Sequence, residues 1–256
     1  MPAQLVRMYV DRQIATVTLD RVAAGNAINE RMASELREAC EQVAQNDEIR
    51  AVIITGEGDT FCTCTDLPSE KTSSDLGDAF RSRRVSGAIA AIEKPVIAAI
   101  NGDAIDQGLE LALACDIRIA SSRSTFALTH LRRGLIPWDG GTQRLPRLIG
   151  HGRAMEMILT CRSADAQEAL DIGMVTQVVP PERVLDCARE VASTIAGHGP
   201  VAARYLKEAL LKGLDMTVDQ GLRLEADLNI ILQSTADRAE GIRSFLERRT
   251  PKHRGE

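Results

Sequence analysis

Two stretches of the chain carry chemistry-bearing residues at turns that a ligand can reach. Gly56-Glu57-Gly58-Asp59-Thr60-Phe61-Cys62-Thr63-Cys64-Thr65-Asp66-Leu67 is the first, and Lys94 to Ala112, with Asp106-Gln107-Gly108-Leu109-Glu110 near its end, is the second. Each runs from a buried apolar strand into a turn of small or polar residues, and in α/β sheets ligands bind where strands end. The second turn feeds directly into a helix, whose free N–H groups and positive dipole end favour an anion. Glu110 lies about one helical turn in from Gln107, so its carboxylate can lie over the same mouth. That arrangement suits general acid–base chemistry beside a stabilised anion. The plainer reading of Glu110 is a first-turn acid that only complements the helix dipole.

Other chemistries are poorly served. The chain has no Gly-x-Ser-x-Gly elbow, no phosphate loop with a Lys and no nucleotide-type Gly-x-Gly-x-x-Gly. A net charge of −5 argues against a general nucleic-acid binder. The six cysteines form no disulfide or zinc spacing, so no metal is expected at Cys62 and Cys64. No apolar run approaches the ~20 residues that span a bilayer. With no secretory signal at the N-terminus, the expectation is a cytoplasmic protein with free thiols and no membrane partner.

Several elements must position these turns. At 256 residues, 44% hydrophobic and only 3% aromatic, the chain supports a sizeable aliphatic core. Residues 4–9 and 14–19 read as a hairpin, and Asn29 as the cap of a helix to about Gln45. Ala51–Thr55, Pro95–Ala99 and Ile117–Ala120 read as buried strands. Residues 57–75 read as a surface loop and 76–93 as a helix. Asp106 reads as the cap of a helix to about Ala114. Strand and helix alternate through the first 120 residues, which predicts an α/β architecture with parallel strands. Beyond about 140 the pattern is mostly helical, in 151–161, 165–171, 181–197, 201–213 and 217–247, with a short strand at 174–179. The Gly197-His198-Gly199-Pro200 break divides a main body, 1–198, from a C-terminal helical section, 199–256. The tail from Arg248 reads as frayed.

The two turns, together with Asn26-Ala27-Ile28-Asn29 and Gly134-Leu135-Ile136-Pro137-Trp138-Asp139-Gly140-Gly141-Thr142-Gln143-Arg144-Leu145, closely resemble the crotonase (enoyl-CoA hydratase/isomerase) family, in order and at family spacing. The resemblance implies a spiral of β-β-α turns followed by helices that trimerise, giving a homotrimer or a dimer of trimers. It implies an acyl-CoA thioester as substrate, with coenzyme A part of that substrate and no separate cofactor. Two backbone N–H groups of the family's oxyanion hole fall on Thr65 and Gln107, followed by Asp66 and Gly108. The first catalytic glutamate of its hydratases falls on Glu110. The contacts to coenzyme A fall around Asn26, Ala27 and Ile28 and along Cys62, Thr63, Asp66 and Leu67. Lys71, Arg83, Arg84 and Lys207 are candidate phosphate partners, each more simply read as a solvated charge.

The chain also departs from the family. Glycine is usual at the Cys64, Asp106 and Gln107 positions. Its replacement keeps each N–H but restricts φ. Asp106 is positioned to compete for the free donors as an N-cap and to oppose a nearby anion. The second catalytic glutamate falls on His130. This His either exchanges protons opposite Glu110, as its ordinary pKa near ~6.5 permits, or fills the pocket wall. Trp138 reads as a wall of the acyl pocket. Asp139 reaches that pocket, orients His130, or only caps the helix starting near Gly140, with capping favoured. The leading expectation is a lyase that adds water to a 2-enoyl-CoA. The rivals are a double-bond isomerase and a CoA-thioester-binding protein without chemistry.

Overall fold

The computed structural model describes residues 4–66 and 73–256. The expected hairpin is formed by β1 (Val6–Asp11) and β2 (Ile14–Leu19), paired antiparallel from Val6↔Leu19 to Asp11↔Ile14. Its two turn residues, Arg12 and Gln13, both take positive φ, the twist that suits a two-residue hairpin loop. Asn29 caps α1 (Glu30–Gln45) by accepting the Met32 N–H at 2.8 Å.

A repeating unit follows. β3 (Ala51–Gly56) and β4 (Thr60–Thr63) lead into α2 (Ser73–Arg83) and α3 (Ser86–Ala90). β5 (Val96–Ile100) and β6 (Asp103–Ile105) lead into α4 (Gln107–Ala114), and β7 (Ile117–Ser121) leads into β8 (Thr125–Ala127). The long strands make one sheet ordered β1-β2-β3-β5-β7-β10, closed by β10 (Gln177–Val179). The short strands make a second sheet ordered β4-β6-β8-β9, ending at β9 (Ser163–Asp165). Apart from β1–β2 and β8–β9, all pairings are parallel. This is the α/β spiral of β-β-α turns that the resemblance implies. Helices α5 (Gly141–Ile149), α6 (His151–Thr160), α7 (Ala166–Asp171), α8 (Val184–Ala196), α9 (Pro200–Gly213), α10 (Val218–Gln233) and α11 (Ala236–Glu247) complete the chain.

Both faces of the long sheet are buried at β3 and β5, so these strands are apolar rather than alternating except at Thr55, whose hydroxyl donates to the Ala99 carbonyl. Val52, Ile54, Val96, Ala98 and Ile100 pack with Leu36, Leu109 and Leu111 in the larger core. Ile53, Ile97, Ala99 and Ile119 meet Ala188 and Ala192 of α8 on the other face. Among the described residues no helix is long and apolar enough to cross a membrane.

Local reading failed where distant residues intervene. The expected loop over 57–75 contains β4, with Phe61 and Cys62 fully buried against β6; four residues are too few to show alternation. The expected helix over 76–93 breaks after Arg83, because the N–H groups of Val85 and Ser86 donate to the Asp139 carboxylate instead of continuing a helix. The pattern over 217–247 is two helices, and Thr235 caps the second. The strand at 174–179 shortens to β10, since the Met174 and Val175 N–H groups turn to the Ala169 carbonyl. The tail is pinned rather than frayed. Asp237 accepts the N–H groups of Arg254 and Gly255 at 2.6 and 2.9 Å, and Arg50 holds the His253 carbonyl at 2.6 Å.

Candidate active site

The second sheet assembles the site. Thr63, Ile105 and Ala127 are register neighbours at the ends of β4, β6 and β8. The residues that follow each strand therefore emerge side by side. The Cys64 N–H donates to the Ile105 carbonyl at 3.0 Å, and the Asp106 N–H to the Ala127 carbonyl at 2.8 Å. Ile28 bridges the first turn, its N–H on the Cys64 carbonyl and its carbonyl on the Asp66 N–H. This framework leaves the N–H groups of Thr65 and Gln107 without an acceptor among the described residues. They are the two donors expected from the sequence. The Thr65 hydroxyl donates to Gln107 Oε1 at 2.7 Å and ties the turns together.

Two of the three residues that stand where the family usually has glycine keep a backbone that suits glycine. Cys64 and Asp106 both sit at positive φ, +64° and +53°, conformations that glycine adopts without penalty. At Gly108 the glycine is indispensable for packing, because a Cβ would lie 1.8 Å from the Cys62 carbonyl oxygen.

Asp106 does not cap α4. Its fully buried carboxylate turns the other way, accepting from the Thr129 N–H at 2.5 Å, from the Thr129 hydroxyl at 3.0 Å and from the Arg133 guanidinium at 2.5 Å. Arg133 compensates the charge that was expected to oppose an anion.

Glu110 is fully buried in α4. Its Oε1 accepts the N–H groups of Asp139 and Gly141, each at 2.8 Å. Its Oε2 has no hydrogen-bond partner among the described residues and lies 3.8 Å from His130 Nε2. Burial pushes the Glu110 carboxyl up to about 7, against the two backbone donors that lower it, with the charges of Asp139 and Asp106 raising it further. His130 is 2% exposed, and among the described residues neither ring nitrogen has a hydrogen-bond partner. Its Nδ1 lies 3.4 Å from Asp106 Oδ1. Burial moves the ring below its ordinary pKa, Asp106 opposes that shift and Arg133 adds to it. The ring is therefore neutral at neutral pH, and Glu110 exchanges its proton there.

Asp139 does not cap the helix that follows it; Gly140 occupies that position without a side-chain bond. Its Oδ2 instead receives the Val85 and Ser86 N–H groups at 2.9 and 3.1 Å and Gln107 Nε2 at 3.1 Å. Asp139 thereby caps α3 and anchors Gln107. Trp138 is partly buried and meets Phe80 edge-on at 4.9 Å between ring centroids.

Around the first turn, Asn26 is fully buried and its side chain is fully used inside the protein. Its Oδ1 accepts the Arg21 N–H at 2.9 Å, and its Nδ2 donates to the carbonyls of Glu57 and Thr60. The Ala27 carbonyl and the Asp66 carboxylate both accept from Arg21. The Thr63 hydroxyl donates to the Gly25 carbonyl, and burial raises the Cys62 thiol. Leu67 and Lys71 lie outside the described residues. Lys207 is not a free cation. It bonds the carbonyls of Ile92 and Lys94 and pairs with Asp116 at 2.7 Å. Arg83 is likewise taken up by the carbonyls of Asp66 and Ala79. Arg84 is 3.7 Å from the Asp139 carboxylate.

Sequence reasoning missed Thr129 and Arg133. A signal existed: an acid at a position suited to glycine needs a buried partner, and two arginines follow His130 within three residues. What remained hidden was that β8 returns beside β6.

Backbone N–H groups without an acceptor among the described residues thus stand at two strand ends, one of them at the start of the helix that carries a buried carboxyl poised near neutrality. A model of the enoyl-CoA hydratase/isomerase family matches residues 10–256. The (E)-benzylidenesuccinyl-CoA hydratase of Thauera aromatica is 38% identical over 253 residues, covering 98% of this chain and 99% of that one. The 2,3-dehydroadipyl-CoA hydratase of Escherichia coli is 37% identical over 252 residues, covering 97% and 98%. A crystal structure of an enoyl-CoA hydratase from Bacillus anthracis superimposes with a TM-score of 0.96 at 38% identity, over 99% of this chain and all of that one. The chain belongs to the enoyl-CoA hydratase/isomerase family.

Proposed function

We propose that the protein adds water reversibly across the C2=C3 bond of a 2-enoyl-CoA. The observation that carries this reading is Glu110, buried with one oxygen locked on two backbone N–H groups and the other open beside His130. Hydratases among full-length relatives support it.

In this reading the thioester oxygen accepts from the N–H groups of Thr65 and Gln107. A water molecule lies against Glu110 Oε2 and His130 Nε2; two groups 3.8 Å apart can each bond the same water. Ionised Glu110 takes one proton as the water oxygen bonds to C3. The π pair of C2=C3 moves onto the thioester oxygen, where the two donors stabilise it; one such donor is worth about 3–4 kcal/mol in a measured case. The proton passes from Glu110 to His130 Nε2 and then to C2 as the enolate collapses. The sum is one H and one OH added. His130 is thus the partner acid, and it is restored neutral.

Coenzyme A would lie along the backbone of Asn26, Ala27 and Ile28 and the turn from Cys62 to Leu67. Trp138 would wall the acyl pocket. Asp139 acts there through Gln107 and α3. We also propose that residues 199–256 mediate assembly into a trimer or a dimer of trimers. α9 presents Leu206 and Leu210, with Leu214 just past its end, as exposed apolar side chains over an open apolar groove of about 770 Å³. Sedimentation equilibrium tests this, and a monomer at micromolar concentration would end it.

Incubation with aliphatic and cyclic 2-enoyl-CoA thioesters in ¹⁸O-water, read by mass spectrometry, tests the reaction. Gain of one labelled water establishes a hydratase. No gain, with solvent deuterium entering at the α or γ carbon in heavy water, would make it an isomerase. Neither change would leave a thioester-binding protein.

A further inference from the structure

His130 is a buried imidazole between two acids that are held in different ways. Glu110 lies 3.8 Å from Nε2 and Asp106 lies 3.4 Å from Nδ1. A neutral ring carries one proton, and the hydrogen bond at one nitrogen decides which nitrogen holds it. Among the described residues the hydrogen bonds to the Asp106 carboxylate all come from donors, namely the N–H and hydroxyl of Thr129, the guanidinium of Arg133 and the Cys64 thiol. Those are the partners of a carboxylate, so Asp106 is a standing acceptor. Glu110, by contrast, takes up and releases a proton near neutrality. The other charge near the pair is Asp139, behind Glu110.

The backbone adds an independent observation. Asp106 stands at φ +53°, ψ −116°, a conformation L-residues rarely adopt. Strain that survives at a site points to a task for the side chain there. Asp106 makes no cap bond with the helix it precedes. Its carboxylate instead faces the ring.

We propose that Asp106 is the positioning residue for His130, holding the neutral ring with its proton on Nδ1 and presenting Nε2, unprotonated, to Glu110. At 3.4 Å the two atoms are within reach but not aligned as a hydrogen bond, and poorly aligned contacts in catalytic groups tighten when substrate binds. When Nε2 takes the proton from Glu110, the imidazolium that forms is flanked by the Asp106 carboxylate, which offsets its charge. No new atom or electron enters the reaction. The functional part of this inference rests on the hydratase reading; the tautomer does not.

The test uses the full-length ¹⁵N-labelled protein. Long-range ¹H–¹⁵N correlation spectra report the tautomer of its four histidines, and His130→Gln assigns the signal. At pH 7.5 wild-type His130 is expected as the Nδ1–H form. Asp106→Asn is expected to move it toward Nε2–H and to lower kcat for crotonyl-CoA hydration about 10²-fold, with KM within about twofold. Asp106→Gly, which suits the backbone, is expected to do the same and serves if Asp106→Asn misfolds. Wild-type His130 in the Nε2–H form, or a tautomer unmoved in both variants, would overturn the proposal. Absence of crotonyl-CoA hydration by the wild type, with the Nδ1–H form intact, would instead remove the hydratase reading and leave the positioning of the ring standing.

Discussion

The two turns that supply the unpaired N–H groups have the same backbone handedness and opposite means of support. The turn at Cys64-Thr65-Asp66 is shaped mainly by backbone hydrogen bonds, with Arg21 on the Asp66 carboxylate and the Thr65 hydroxyl on Gln107 beside them. Ile28 bonds it on both sides, and Asn26 secures the neighbouring carbonyls of Glu57 and Thr60. The turn at Asp106-Gln107-Gly108 is held largely by side chains and charge: Thr129 and Arg133 on Asp106, and Asp139 with the Arg83 carbonyl on Gln107. The first turn is half-exposed and the second fully buried. Hydrogen-bonded main chain suffices to shape a donor near solvent. A buried turn that must also manage a titrating carboxyl and an imidazole needs charges placed around it.

Glu110→Gln breaks the charged side of this comparison most severely. It is expected to lower kcat about 10²- to 10⁴-fold in a spectrophotometric hydration assay, with little change in KM. The working form is ionised Glu110, so wild-type kcat/KM should fall as pH drops below about 7. A flat profile from pH 6 to 8 would count against this role.

Asn26→Ala attacks the main-chain side. Three partners lose their bonds and Ala must take a φ near +55°, so denaturant unfolding should show a loss of about 2–4 kcal/mol.

Burial of Glu110 should also be legible in stability. Its folded pKa, about 7, lies above the ordinary 4.5, so the native state binds more protons between those values. This group's contribution therefore weakens as pH rises from 4.5 to 7 and is constant above. Relative to wild type, Glu110→Gln should gain on the order of 2–3 kcal/mol between pH 5 and pH 8. His130 titrates in the opposite sense in both proteins, and largely cancels in that difference.

Arg133→Met leaves the buried Asp106 carboxylate with Thr129, the Cys64 thiol and the His130 ring, without its guanidinium partner. Because the guanidinium is 43% exposed, solvent screens the pair, and a loss of about 1–2 kcal/mol is expected by urea titration. Cys64→Gly is the mildest change. Relief of the positive φ offsets the added freedom of the unfolded chain, so stability should stay within about 1 kcal/mol of wild type.

The amino-acid sequence by itself determined the hairpin, α1 with its Asn29 cap, the long strands and the start of α4, because each is encoded in local period and capping residues. The family resemblance implied that Thr65, Gln107, Glu110 and His130 share one mouth. The tertiary structure decided the rest. The short strands β4, β6, β8 and β9 have too few residues to show a pattern, yet they bring the three turns side by side. The break after Arg83 is made by Asp139, which is 54 residues away from Val85. Asp106 reads from sequence as a helix cap, because local propensity sees only the helix it precedes. That its carboxylate meets Thr129, Arg133 and His130 follows from β8 lying beside β6, a pairing between distant segments that no local signal records.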